Sequence, residues 1–232
     1  MGLSGRQVKA VLFDLGGTLI KTAEIPLVLK RILGDCGVIR SLEEVSEVWK
    51  KVDEGLNFRE LPVLLEEFWV RWNVRILRNL GVDSGVRRLA EFILANWWDY
   101  SEVSLFSDAG KVLPLLRERS LKLGVVTNGL QSDVDEILPR VGLEGFFDVV
   151  VVIDSLGRIK PDVEVFQYAL ERLGVEACEA VFVGDELEAD YKGASGAGLA
   201  VFLVDRDGKV LDEGVKRIGS LEELFELVSV SV

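Results

Sequence analysis

From residue 121 onward the chain alternates short apolar runs with single amphipathic stretches, and that alternation leaves few folds open to it. Residues 121–126, 148–153, 180–183 and 199–204 read as strands. Residues 130–141, 163–173 and 188–197 read as the helices between them, and Ser220 with Glu223 starts a last helix running to about Val228. Pro161 suits the first turn of the helix at 163–173. Strands separated by one helix are joined by right-handed crossovers and lie parallel. Residues 8–13 supply one more strand, ending at Asp14 and a Gly-Gly turn. The predicted fold is therefore α/β, a doubly wound parallel sheet.

Between the first strand and the rest, the period changes. Leu42, Val45, Trp49, Val52 and Leu56 recur at spacings of three and four, as do Leu61, Leu64, Leu65, Phe68, Trp72, Ile76 and Leu80. Ser41 with Glu44 reads as a capping box, and no strand is evident in this stretch. The expected organisation is an α/β core domain built from residues 1–20 and 106–232, interrupted by an all-helical domain at 21–105. The tryptophans all lie in the insert and read mostly as its core; Trp97 and Trp98 are adjacent and cannot both point at one core face.

Composition removes several functions. Of 232 residues, 39 are acidic and 27 basic, a net charge of −12. Such a chain is a poor partner for nucleic acid or an anionic membrane, because both need basic patches. No apolar run approaches the roughly 20 residues that span a bilayer. Residues 1–9 lead straight into a strand, so no secretory leader is expected. Cys36 and Cys178 make no disulfide framework, which points to a reducing cytoplasm. One Met, two Cys and sparse Asn and Gln are the composition of a hyperthermophile protein. The chain has no histidine, which excludes Ser-His-Asp and Cys-His catalysis, imidazole metal sites and imidazole proton transfer.

What remains sits at the strand ends, where ligands bind in an open parallel sheet. Asp14 follows the first strand in Phe-Asp-Leu-Gly-Gly-Thr-Leu (13–19). Thr127-Asn128-Gly129 follows the second, Lys160-Pro161-Asp162 opens the helix after the third, and Gly184-Asp185 follows the fourth with Asp190 five residues on. Carboxylates converging on one sheet edge repel one another and need a cation; all-oxygen ligation suits Mg²⁺. A lysine, a hydroxyl and the amides of glycine turns make an anion cradle beside it. Together these suggest phosphoryl transfer through an aspartyl-phosphate. Each piece alone has a plainer role: Asp14 as a turn residue, Thr127 as a locally satisfied hydroxyl, Lys160 as a solvated lysine, Asp185 and Asp190 as acids at a helix start. Residues 193–198 are glycine-rich but do not match G-x-G-x-x-G and read as close helix packing.

In this order the four segments resemble the haloacid dehalogenase-like (HAD) hydrolase superfamily, and the helical insert resembles the C1-type cap of its phosphatase-like branch. Residues 193–198 are similar to the small-residue segment usual there. The resemblance implies that Asp14 is the nucleophile and a Mg²⁺ ligand, with the carbonyl of Gly16 a second ligand. It implies that Thr127 and the amides of Asn128 and Gly129 hold the phosphoryl oxygens. Lys160 balances charge at nucleophile and phosphate, Asp185 is a further carboxylate ligand, and Asp190 supports the metal shell or Lys160.

The sequence departs from that pattern at one place. The family's phosphatases usually read Asp-x-Asp-Gly-Thr, with the second Asp the general acid/base; here it is Gly16. Losing a positioned acid/base typically removes about 10²–10⁴-fold in rate. Glu186 and Glu54 are candidate replacements. The expected function is a Mg²⁺-dependent phosphatase of a small phosphorylated metabolite, with the helical domain closing over the site. The alternatives are a metal-free 2-haloacid dehalogenase, a phosphotransferase such as a sugar-phosphate mutase, and a catalytically impaired protein that binds a phosphorylated ligand. Asp185 and Asp190 speak against the dehalogenase, whose branch lacks that acidic pair.

Overall fold

The computed structural model describes residues 7–54 and 65–229. The chain runs β1 (Ala10–Phe13), β2 (Ile20–Lys21), α1 (Ile25–Asp35), α2 (Leu42–Asp53), α3 (Leu65–Asn79), α4 (Val86–Tyr100), β3 (Ser104–Leu105), α5 (Ser107–Glu118), β4 (Lys122–Val126) and α6 (Gln131–Arg140). It continues through β5 (Val149–Val151), α7 (Ile153–Leu156), α8 (Val163–Leu173), β6 (Ala180–Gly184), a π turn (Leu187–Lys192), α9 (Gly193–Gly196), β7 (Ala200–Val204), β8 (Arg217–Ile218) and α10 (Leu221–Ser229). Two compact units result, the first holding the chain on either side of Thr22–Val103 and the second spanning those residues. Leu56, Leu61 and Leu64, part of the insert's apolar period, and the first six residues lie outside the described residues.

The first unit is built on a six-stranded sheet of order β5-β4-β1-β6-β7-β8. Its pairings are all parallel. β1 is fully buried along Ala10–Phe13, as a central parallel strand covered on both faces must be. Alternation divides its side chains: Ala10 and Leu12 join Phe182, Phe166, Leu170 and Ala194 in one cluster with α8 and α9, and Val11 and Phe13 face the other way. Phe166 meets Phe182 edge-on at 5.1 Å. Gly124 in β4 is required here, since a Cβ would come within 2.5 Å of the Leu12 and Val149 side chains. Phe13 pairs with both Val125 and Val183, so the three central strands end in register at one edge.

The second unit packs α1–α4 around Leu29, Ile32, Leu33, Val45, Ile76, Leu77 and Ile93. Ser41 and Glu44 form the expected reciprocal capping box. Trp72 is buried in this core and Trp49, Trp69 and Trp97 pack against it. Trp98, one residue on, is half-buried outside that cluster.

Several local expectations are corrected. β2 and β3 form a short antiparallel ribbon, Ile20 opposite Leu105, where the sequence shows only helical period. β8 was also not evident. All three are two-residue strands, too short to carry an alternation. β5 stops at Val151, and Ile153 begins α7 instead of ending the strand. Pro161 precedes the helix it was expected to enter; Asp162 is the N-cap of α8, accepting from the Glu164 amide. Residues 188–197 are a π turn followed by α9 and not one regular helix. At α10, Ser220 accepts from the Glu222 amide, whereas Glu223 reaches back to the Gly219 amide. No helix among the described residues is long and apolar enough to cross a membrane.

Candidate active site

Asp14 continues β1 by one residue, its N–H donating to the Val183 carbonyl at 2.8 Å. The chain then turns sharply, with the Leu19 and Ile20 amides both on the Leu15 carbonyl and the Gly17 amide on Ile20. Gly17 has φ +77°, and a Cβ there would stand 2.1 Å from Asp185 Oδ2. Only glycine allows this backbone to lie so close to that carboxylate. Thr18, fully buried, donates its hydroxyl to Asp185 Oδ1 at 3.2 Å.

Lys160 is 4% exposed, and its ammonium bridges two carboxylates: Asp14 Oδ1 at 2.5 Å and Asp190 Oδ1 at 2.6 Å. Its backbone is held by one side chain. Asn128 Oδ1 accepts from the Lys160 amide at 2.8 Å, and Asn128 Nδ2 donates to the Lys160 carbonyl at 3.3 Å. The loop before α8 is thereby tied to the end of β4, and Phe182 lies under the ammonium, 5.8 Å from Nζ to ring centre.

Asp190 is 1% exposed and owes its position to the π turn. The Tyr191 amide bonds the Glu186 carbonyl five residues back, as the Asp190 amide also does. This widened turn swings the Asp190 carboxylate over Gly184, where a Cβ would sit 2.3 Å from Asp190 Cγ. Asp190 Oδ2 also accepts from the Glu186 amide at 3.0 Å.

Carboxylate oxygens of Asp14, Asp185 and Asp190 all lie within 4.8 Å of one another. Three carboxylates and one ammonium leave this pocket two charges short of neutral. The electrostatics record the strain. Burial pushes Asp14 up to about 7, with Lys160 pulling against it and Asp190 adding to it. Burial, then repulsion from Asp190 and Glu186, pushes Asp185 up to about 6. Burial opposes the charge of Lys160, but Asp14 and Asp190 outweigh it and hold the ammonium above its usual range. A divalent cation with a taste for hard oxygen ligands fits this donor set in both charge and chemistry, and Mg²⁺ is the common case.

The sequence-derived residues are thus only partly in contact. Asp14, Lys160, Asp185 and Asp190 converge. Asn128 joins them by holding Lys160, a role its sequence context did not suggest. Thr127 stands one residue beyond β4, and its Oγ1 accepts from the Gly129 amide at 3.3 Å, the local bond that a strand-end hydroxyl favours. Gly16 lies exposed in the Asp14 turn, with no heavy atom within 4 Å of where a Cβ would stand. Glu186 follows Asp185 and is exposed, and Glu54 caps the end of α2, exposed in the other unit.

Sequence reasoning missed three supports: Thr18, Asp108 and Arg206. Arg206, after β7, donates to the Thr18 carbonyl at 2.9 Å, pairs with Asp108 and stacks 3.9 Å over Phe106. Asp108 also accepts from Ser220 Oγ and from the first amide of α10. These contacts brace the Asp14 turn from behind. An Asp at a helix start and an Arg after a strand carry no sequence signal that they meet, 98 residues apart.

The two neighbouring glycines make a test. Gly184→Ala and Gly17→Ala are expected to cost about 1–3 kcal/mol by overpacking a carboxylate. At about 2–4 °C per kcal/mol for a chain of this size, each lowers Tm by roughly 2–12 °C. Gly16→Ala, with open space around it, changes Tm by no more than about 2 °C. Thermal unfolding of the three variants checks the ranking.

Residues 8–198 match the haloacid dehalogenase-like hydrolase family. The chain is 34% identical over 209 residues to a protein of Methanopyrus kandleri named glyceraldehyde 3-phosphate phosphatase, covering 88% of this chain and 87% of that one. The crystal structure of a HAD phosphatase from Thermococcus onnurineus is similar over 95% of this chain and 98% of that one, at 27% identity and TM-score 0.66. That of a 2-haloacid dehalogenase from Pseudomonas syringae pv. tomato DC3000 is similar over 97% and 100%, at 27% identity and TM-score 0.71.

Proposed function

The chain belongs to the haloacid dehalogenase-like hydrolases, and from that premise we propose that it hydrolyses small phosphorylated metabolites through an aspartyl-phosphate at Asp14. The observation that carries this reading is the buried Lys160 ammonium shared by Asp14 and Asp190, with Asp185 beside them. Attack on phosphorus brings a phosphate of about two negative charges against a carboxylate, and only a strongly electropositive setting makes that approach favourable.

In this reading Asp14, Asp185 and Asp190, with the Gly16 carbonyl, hold Mg²⁺, which when bound supplies charge neutralisation at the phosphoryl oxygens. Asp14 offers its second oxygen to phosphorus while Lys160 holds the first. Thr127 and the amides of Asn128 and Gly129 bind the phosphoryl oxygens; the long Gly129–Thr127 bond is the one a phosphate oxygen replaces. The helical unit serves as the cap that selects the substrate.

A 2-haloacid dehalogenase would need none of this cation chemistry. Its substrate is itself a carboxylate, which three clustered carboxylates repel. The deciding measurement is phosphate release from a panel of phosphorylated metabolites and p-nitrophenyl phosphate, with Mg²⁺ and with EDTA. Metal-dependent release is expected. Chloride release from a 2-haloacid in EDTA without phosphatase activity, or binding of phosphorylated ligands without turnover, overturns the proposal.

A further inference from the structure

Resting on the phosphoryl-transfer reading above, we propose that this site is built for substrates whose leaving oxygen departs as a stable anion. Acyl phosphates come first and acidic aryl phosphates next, while simple alkyl phosphate esters are poor substrates.

The inference starts from where protons can come from. The chain has no histidine. Lys160 carries protons, but its ammonium is pinned between Asp14 and Asp190, its backbone is clamped by Asn128, and it touches the attacking carboxylate. A leaving group departs on the side of phosphorus opposite the attacking oxygen, away from that ammonium. Asp185 and Asp190 converge with Asp14 on one point and are the candidate metal ligands. The turn after Asp14 could bring a donor to the leaving side, two residues on, but that position is Gly16. It is exposed, with nothing within 4 Å of where a side chain would begin. Within that distance no group of the described residues stands in for such a donor.

The chemistry then sorts substrates by leaving group. Asp14 forms an O–P bond while the scissile O–P bond breaks, and its electron pair leaves with the departing oxygen. In the loose transition state of phosphoryl transfer that oxygen carries much of the charge. From an acyl phosphate dianion it leaves as a carboxylate, whose conjugate acid has a pKa of about 4, and needs no proton. Water then adds to phosphorus as the bond to Asp14 breaks, and both of its protons end on the phosphate. Acyl phosphate dianion and water thus give carboxylate and dihydrogen phosphate, with no outside proton. An alkyl ester instead expels an alkoxide about as basic as hydroxide, and that alkoxide must be protonated. The second half-reaction is shared by every substrate, so the selectivity appears in kcat/KM, which reports the first.

The test compares acetyl phosphate, p-nitrophenyl phosphate and glycerol 3-phosphate with Mg²⁺, using Asp14→Asn as the blank. Wild type is expected to show kcat/KM about 10³-fold higher for acetyl phosphate than for glycerol 3-phosphate, and Gly16→Asp to shrink that ratio about 10²-fold. If Gly16→Asp does not fold, a series of ring-substituted aryl phosphates on wild type decides: a steep fall of kcat/KM with rising phenol pKa supports the proposal. A flat series, or acyl and alkyl rates within about tenfold of each other, means that a group such as Glu186 supplies the proton, and overturns it. Failure to cleave any probe, or cleavage unaffected by EDTA, overturns the underlying phosphatase reading and this inference with it.

Discussion

Asp14→Asn is expected to lower turnover by about 10⁴-fold or more and, in the metal-free protein at pH 8, to raise Tm by about 3–8 °C. The first effect is the loss of the nucleophile, since an amide does not form the phosphoryl ester. The second follows from the pKa values. Asp14 sits near 7 and Asp185 near 6, both raised above the ordinary 3.8. A carboxyl with a raised folded-state pKa contributes stability that is complete below its unfolded value and is lost as pH rises through the folded one. Metal-free wild type should therefore lose stability between about pH 4 and pH 7, because ionising these two groups next to the buried Asp190 is unfavourable. Asparagine has the same shape, still accepts from Lys160, and removes one of the repelling charges. The stability gain should fade below pH 5, where Asp14 is protonated anyway, and reverse in saturating Mg²⁺, which the variant binds less well. Calorimetric Tm of both proteins at pH 5 and 8, with and without metal, reads all of this. A variant less stable than wild type at pH 8 without metal would show that Asp14 is not a source of repulsion.

Much of the fold was legible because parallel strands are apolar on both faces. β1, β4, β6 and β7 stand out as short Val/Leu/Phe runs, each followed by a polar turn. Part of the site was legible for the same reason: an acid directly at the end of such a run, as Asp14 and Asp185 are, lies at the sheet edge where strands in register deliver it. What stayed hidden was non-local. Asn128 and Lys160 are 32 residues apart, and Thr18 and Asp185 are 167 apart; neither pairing has a period or a spacing. The π turn was invisible because one extra residue in a turn leaves the apolar pattern almost unchanged, yet it is what places Asp190 over Gly184. Gly16 and Gly17 are identical letters in the sequence. In the structure one is open to any side chain and the other is dictated by a carboxylate at 2.1 Å.

Lys160→Met carries the other large expectation: loss of about 3–5 kcal/mol of stability without metal, or roughly 6–20 °C in Tm, together with loss of activity. The ammonium is 4% exposed and touches two of the three clustered carboxylates. Its own pKa is held above the usual lysine range, so the stability it contributes is undiminished throughout neutral pH. Methionine fills about the same volume and removes the ammonium, leaving the buried Asp14 and Asp190 and the half-buried Asp185 facing one another with no cation. The remedy available to such a cluster is to take up protons or a metal. The destabilisation should therefore shrink below about pH 5 and shrink again with millimolar Mg²⁺, whereas a packing defect would be indifferent to both. Activity should not return with the metal, because the phosphate then meets Asp14 without the ammonium that holds one of its oxygens. A Tm deficit equal at pH 5 and pH 8, with and without Mg²⁺, would show that Lys160 is held for its shape alone. In that case the pairing of Asp14 with Asp190 through one ammonium would not organise the site.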